Sequence, residues 1–280
     1  MEFLEVQPMD LSTVIGLVLG FVALLVGMVM KGVALKSLLN LAAILIIIAG
    51  TIASVVIAFP MNELKRVPKL FGIIFKEQKL ASDADIIRMF SSWADVARRE
   101  GLLSLEAKTD DIKDPFLKNG LGLAIDGQNA DYIRDVLSEE VDAMEDRHAA
   151  GALIFSQAGT YAPTLGVLGA VVGLIAALGD LSDIDALGTA ISAAFVATLL
   201  GIFTGYVLWH PFANKLKRKS ADEVRQKTMM IEGVLSVLEG EAPRVIEQKL
   251  ASYLSAEERR KLADKNDGGK KGASSFAEET

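Results

Sequence analysis

The chain has 280 residues, 29 Lys and Arg against 36 Asp and Glu, and no cysteine, for a formal charge of −7. The missing cysteines exclude a disulfide framework, thiol catalysis and thiolate metal sites, and the acidic balance lacks the basic footprint of a nucleic-acid binder. Although 23% of residues are charged, Leu11–Met30 and residues 41–59, 152–179 and 186–209 contain no Asp, Glu, Lys or Arg. A soluble helix must turn one face to water, whereas a helix crossing a bilayer needs about 20 apolar residues. The expected fold is all-α: a polytopic membrane protein with four transmembrane helices and a helical cytoplasmic domain.

Taken in chain order, residues 1–10 form an N-terminal segment with Glu2, Glu5 and Asp10 but no basic residue. The apolar run that follows is longer than the core of a signal peptide, so it reads as a retained first span. Spans 1 and 2 make a hairpin over 11–59. Residues 60–151 form a helical insert. There, Ser82 with Asp85 has the capping-box pattern, and Ile86, Ile87, Phe90, Trp93, Ala94 and Ala97 make one apolar stripe before Gly101 stops the helix. A second helix from about 129 to 148 carries Tyr132, Ile133, Val136, Leu137, Val141 and Met144 at helical spacing. Only three residues separate it from span 3, so the two can form one long helix.

Spans 3 and 4 make a second hairpin over 152–209. Pro163 inside span 3 removes a backbone hydrogen bond and predicts a kink or hinge with a freed carbonyl, while Pro211 reads as the stop of span 4. In the tail, 210–263, Ser220 with Glu223, Pro243, and Ser255 with Glu258 each mark a helix start. Residues 264–280 are rich in Gly, Lys and Ser and are expected to be disordered. Lys65, Arg66 and Lys69 follow span 2 and Lys215, Lys217, Arg218 and Lys219 follow span 4, whereas the loop 180–185 is acidic. The insert and tail therefore belong in the cytoplasm, with Lys31 and Lys36 of the first short loop as a minority vote against.

Spans 3 and 4 carry stripes of small residues: Ala162, Gly166 and Ala170 with Gly169, Gly173 and Ala177 in span 3, and Ala193, Ala197, Gly201 and Gly205 in span 4. Such stripes let helix backbones approach closely. They fit packing of the two spans on each other, or a surface that also receives a helix of another subunit. The hydroxyls of Thr160, Thr164, Thr189, Thr198 and Thr204 are expected mostly to bond carbonyls one turn earlier. No span holds a carboxylate or histidine, the groups on which ion pumps and proton relays depend, so a partner must supply any titrating group. His148 and His210 both fall at span boundaries, where snorkelling to the interface is the simpler role. No nucleotide-binding, hydrolase or zinc-protease motif is present. No enzyme activity, metal or cofactor is expected. Glu139, Glu140, Asp142, Glu145 and Asp146 read as a solvated helix face.

Five segments carry a more specific signal: RREGLLSLE at 98–106, DGQNADYIRDVLSEEVDAMEDRH at 126–148, YAPTLGVLGAVVGLIAAL at 161–178, AISAAFVATLLGIFTGYVLWHPFANKLKRK at 190–219 and IEGVLSVLEGEAPRVIEQKL at 231–250. With the four-span layout, they make the sequence resemble the flagellar motor stator A subunits, the MotA/PomA family, over most of its length. The resemblance implies a ring of five A subunits around a dimer of MotB-type B subunits, whose transmembrane Asp carries the ion. It implies that spans 3 and 4 face the B helices while spans 1 and 2 face lipid of the bacterial inner membrane. It implies, too, that the insert pushes on the rotor protein FliG. Carried over position by position, Arg98, Arg99, Glu106 and Glu140 are rotor-facing charges. Pro163, Ala170, Ala197, Thr198 and Pro211 belong to the ion path and its coupling, and Gly166, Gly169, Gly173, Ala193, Gly201 and Gly205 to packing against the B subunit.

Sodium-type members of that family place Thr where this chain has Ala170, and a Thr pair where it has Ala197 and Thr198. The missing hydroxyls remove oxygen ligands that a desolvated sodium ion needs, so a proton-driven stator is expected. The alternatives are a sodium-driven stator and an ExbB/TolQ-like ring energising another envelope process. A self-contained transporter is a further one, against which the charge-free spans argue.

Overall fold

The computed structural model describes residues 9–78, 80–179 and 184–260. Helix α1 (Leu11–Met30) begins where the Asp10 carboxylate accepts from the Thr13 N–H at 3.3 Å. Helix α2 (Leu41–Ala58) begins the same way, with Asn40 accepting from the Ala43 N–H at 3.2 Å, and widens into a π-helical turn over Leu45–Ala49. A short helix, α3 (Val67–Phe75), then turns Ile74 inward. Apart from short helical turns, the helices that follow are α4 (Asp83–Glu100), α5 (Pro115–Ile125), α6 (Ala130–Leu178), α7 (residues 184–238) and α8 (Pro243–Leu250). Four helices are long and apolar enough to cross a membrane: α1, α2 and the apolar stretches of α6 and α7.

One helix has the length its short linker allowed, and another is longer than its sequence signals implied. α6 runs 49 residues without a break, joining the second insert helix to span 3. α7 likewise passes straight through Pro211 and Ser220, so neither residue ends or starts a helix. The physical reason lies one turn upstream, where Thr204–Trp209 is π-helical. A π turn shifts the hydrogen-bond pattern by one residue, which lets the chain accept a proline without the break its missing N–H and ring would otherwise impose. The Ser220 hydroxyl pairs instead with His148 Nδ1 at 3.0 Å, tying α7 to α6. Ser82 does precede α4, but its side chain makes no capping bond. Asp83 is held by Arg225 and Gln226, at 2.7 and 2.9 Å, and Asp85 by Arg88. Ser255 and Glu258, by contrast, form the reciprocal box as read, at 2.8 and 3.3 Å. The proposed disordered stretch 264–280 lies outside the described residues.

The chain divides into two units, one holding residues up to 78 with 146–220, the other 80–145 with 221–260. Residues 60–78 and 146–151, assigned from sequence to the insert, group with the spans. The cause is α3, whose Phe71 and Phe75 join Phe155, Trp209 and Phe212 in an edge-to-face aromatic cluster with centroids 5.1–6.5 Å apart. In the second unit the stripe of α4 is buried as its spacing predicts. Ile87 and Phe90 are fully enclosed with Leu105, Leu121, Ile133, Leu137 and Leu235.

One polar knot in the spanning unit has no counterpart in the sequence reading. Asp10, 12% exposed, pairs with Lys215 at 2.7 Å and Lys219 at 3.4 Å. The buried Lys219 ammonium also donates to the Ile73 and Lys76 carbonyls at the end of α3, where the helix dipole favours a cation. The Asp10 N–H bonds the Phe75 carbonyl at 2.8 Å. Three segments, the start of α1, the end of α3 and the middle of α7, thus share one charge cluster. Burial pushes the Asp10 carboxyl up, but hydrogen bonds from Lys215, Ser12 and the Thr13 N–H outweigh it and hold it well below the ordinary carboxylate range. A depressed carboxyl adds stability above its unfolded value and loses it as pH falls through the folded one. Asp10→Asn should therefore lower the thermal midpoint of the purified protein at neutral pH, by about 1 kcal/mol of stability. The gap from wild type should begin to narrow as the pH falls through the unfolded carboxyl value of about 4, and should close only well below it, where the folded-state carboxyl is protonated too.

Candidate functional site

The small residues of spans 3 and 4 bring α6 and α7 into backbone contact. A methyl group added at Gly201 would stand 2.7 Å from the Ala162 carbonyl oxygen and 2.8 Å from the Gly166 Cα; one added at Gly166 would stand 2.9 Å from the Ala197 carbonyl oxygen. Gly205 repeats the approach a turn later, where its methyl would stand 2.7 Å from the Pro163 ring and 2.8 Å from the Gly159 carbonyl oxygen. That carbonyl is the one Pro163 leaves without its helical donor, and the Gly205 backbone runs close to it. Ala162 and Ala197 are buried in the same seam. Three of the glycines assigned from sequence to a partner, Gly166, Gly201 and Gly205, thus pack against this chain's own α6 and α7. Gly169 has more room, facing Ala197 and Ile46 at 3.6 and 3.7 Å, and Gly173 only touches Ala194 at 4.0 Å; Ala193 is half-buried.

Beside this seam, Pro163 and Ala170 are half-buried on α6 and Thr198 is half-buried on α7, while Pro211 is exposed. The Thr198 hydroxyl donates to the Ala194 carbonyl at 3.3 Å, and Thr160, Thr164, Thr189 and Thr204 make the same one-turn bond, at 2.9–3.3 Å. Each hydroxyl keeps lone pairs to accept from a guest. Exposed apolar side chains, Val167, Val171 and Leu174 on α6 and Phe195, Leu199 and Ile202 on α7, flank these positions.

In the other unit, the charges of the segment 98–106 are gathered at a turn. Arg98 and Arg99 end α4, Gly101 reverses the chain at φ +86°, and Glu106 opens a single helical turn, Glu106–Thr109. The fully buried Leu105 anchors the turn, while Leu103 stands 72% exposed at its tip. Arg98 and Glu106 are exposed; Arg99 spans 3.0 Å to Asp95. Glu140 sits apart on α6, exposed and 3.5 Å from Asn119. Among the described residues no cluster of His, Asp or Glu could hold a metal ion.

Residues 14–101 match the motility protein A N-terminal family and residues 108–229 the MotA/TolQ/ExbB proton channel family. Motility protein A of Bacillus subtilis is 67% identical over 259 residues, covering 92% of this chain and 96% of that protein. The chain belongs to the motility protein A family. Its fold agrees: it superposes with a TM-score of 0.85 on a chain of the flagellar MotAB stator complex from Bacillus subtilis, at 68% identity over 89% of this chain and 98% of that one. A chain of C. jejuni MotAB, at 32% identity, gives 0.84 over 89% and 97%. The fold is thus retained where two thirds of the residues differ, as expected when periodicity and close-packing glycines, rather than individual side chains, specify it.

Sequence reasoning located every membrane helix and the charged turn but missed the Asp10–Lys215–Lys219 knot. Lys215 and Lys219 lie in a run of four cations and looked like topology signals alone. The one available sign was spacing: four apart, they share a helix face, while Lys217 and Arg218 do not and are exposed.

Proposed function

We propose that the protein is the ring-forming A subunit of a proton-driven flagellar stator, which with a MotB-type B subunit dimer converts ion flow into torque on FliG. The observation that carries this reading is the absence of any Asp, Glu, Lys, Arg or His from the four apolar stretches of a chain in a proton channel family. Such a chain cannot itself hold the travelling proton at mid-membrane, so it surrounds a partner that does. The solved relatives carry a B component in their names, MotAB. Five copies around two B helices follow the family pattern. The α6/α7 seam makes each subunit's inner hairpin rigid, leaving the half-buried Pro163, Ala170 and Thr198 to meet the B-subunit carboxylate. Neutralising that carboxylate changes which surface of the ring fits best, and the turn at Arg98–Glu106 delivers the step to the rotor. The insert and tail face the cytoplasm, on the side where Lys65, Arg66, Lys69, Lys217 and Arg218 are exposed.

Against an ExbB/TolQ-like ring stands the first hairpin, which falls within the match to the motility protein A N-terminal family. Proton rather than sodium use rests on Ala170 and Ala197, whose methyl groups offer no oxygen. The deciding experiment expresses the chain with its native B subunit in a stator-less strain. Swimming should follow the proton gradient and ignore external sodium. Swimming that tracks sodium would overturn the ion assignment.

A further inference from the structure

The two histidines, alike in sequence position, differ in structure. His148 Nδ1 is engaged by Ser220. The His210 ring instead lies flat on the α6 backbone: a methyl group at Gly159 would meet its Cδ2, Cγ and Cε1 atoms at 2.8, 2.8 and 2.9 Å. Equal distances to three ring atoms mean face contact, which only glycine at 159 permits. The Tyr206 ring, one turn earlier on α7, packs beside it at 5.3 Å. Held by its faces, the half-buried imidazole has neither nitrogen hydrogen-bonded to a described residue. Along α6 next to Gly159 runs a line of hydroxyls, Thr164 bonding the Thr160 carbonyl and Thr160 the Ser156 carbonyl, with Thr160 and Thr164 exposed. The residues flanking the contact on α6, Ser156, Thr160 and Pro163, carry no charge. On α7 Tyr206 is titratable, and the next charged residue, Lys215, is tied to Asp10.

We propose that His210 is a proton-transfer residue on the cytoplasmic exit of the ion path. The inference rests on the stator reading above. A proton released by the B-subunit carboxyl group reaches the unprotonated ring nitrogen through water standing on the Thr164–Thr160–Ser156 line, each water taking up one proton as it passes one on. The imidazolium then releases one proton, from either nitrogen, to cytoplasmic water and returns to neutral. One proton enters and one leaves, with no change in the ring. Imidazole suits this step because one ring nitrogen can accept a proton while the other donates one. Stacking on Gly159 fixes the ring without occupying its nitrogens, whereas a snorkelling side chain needs no such seat.

The test measures motor rotation with the chain and its B subunit in a stator-less strain, at stall and near zero load, where ion transit limits speed. His210→Gln should lower near-zero-load speed about threefold or more, short of the roughly hundredfold or greater effect of a positioned acid–base group because bulk water carries part of the flux. Stall torque should stay at the wild-type level. In His210→Ala, which opens space over Gly159, added imidazole should restore speed. Wild-type speed in His210→Gln near zero load would overturn the proposal. An equal loss at stall and near zero load, without imidazole rescue, would overturn it too, by marking a packing role. Absence of rotation with the unmodified chain would instead refute the stator reading itself.

Discussion

Replacing Gly201 with valine is expected to abolish motility and to strip most of the protein from the membrane. Overpacking a core ordinarily costs about 1–3 kcal/mol, because neighbours shift or change rotamer. At Gly201 the atoms in the way are backbone, the Ala162 carbonyl oxygen and the Gly166 Cα, so relief requires the two helices to separate and the α6/α7 seam to open along its length. Gly166→Val should behave alike, since it meets the same pair of backbones from the other side. Gly16→Val and Gly27→Val are the controls, as nothing lies within 4 Å of a methyl group at either. Both should accumulate and support swimming as wild type. Membrane immunoblots and soft-agar spreading measure both quantities, and normal accumulation of Gly201→Val would mean that the seam is looser than described.

The second large effect is expected at the turn. Arg98→Glu should leave the protein folded and in the membrane but reduce motor torque severely. The side chain is exposed and has no ion-pair partner among the described residues, so its reversal costs the fold little. Single exposed ion pairs contribute about 1 kcal/mol or less, yet under the proposed function reversal would replace attraction by repulsion at every subunit of the ring, and the effect would multiply. A complementary reversal on FliG should restore part of the torque. Full torque from Arg98→Glu with an unmodified rotor would remove Arg98 from the contact surface.

Much of this was legible in the sequence because it depends on patterns with a physical period. Charge-free stretches locate spans, since a charge in lipid is costly, and the stripe from Ile86 to Ala94 locates a core face, since α-helices repeat every 3.6 residues. What stayed hidden depends on which partner a residue meets. Pro211 looks like a stop in any local reading; only the π turn before it shows that the helix absorbs it. Gly166, Gly201 and Gly205 are recognisable as close-packing residues, but the stripe does not say whether the approaching backbone belongs to the same chain. Asp10 lies some 200 residues from Lys215 in sequence, beyond the reach of any spacing rule, and Gly159 gives no hint of the ring stacked on it.

Under the proposed function this chain forms a ring around a separate ion carrier. The most direct test counts both chains, by native mass spectrometry, in the complex purified after co-expression with the neighbouring B subunit. Five copies of this chain to two of the B subunit are expected. Purification of the chain without the B subunit, in a form that conducts protons by itself when reconstituted, would contradict it.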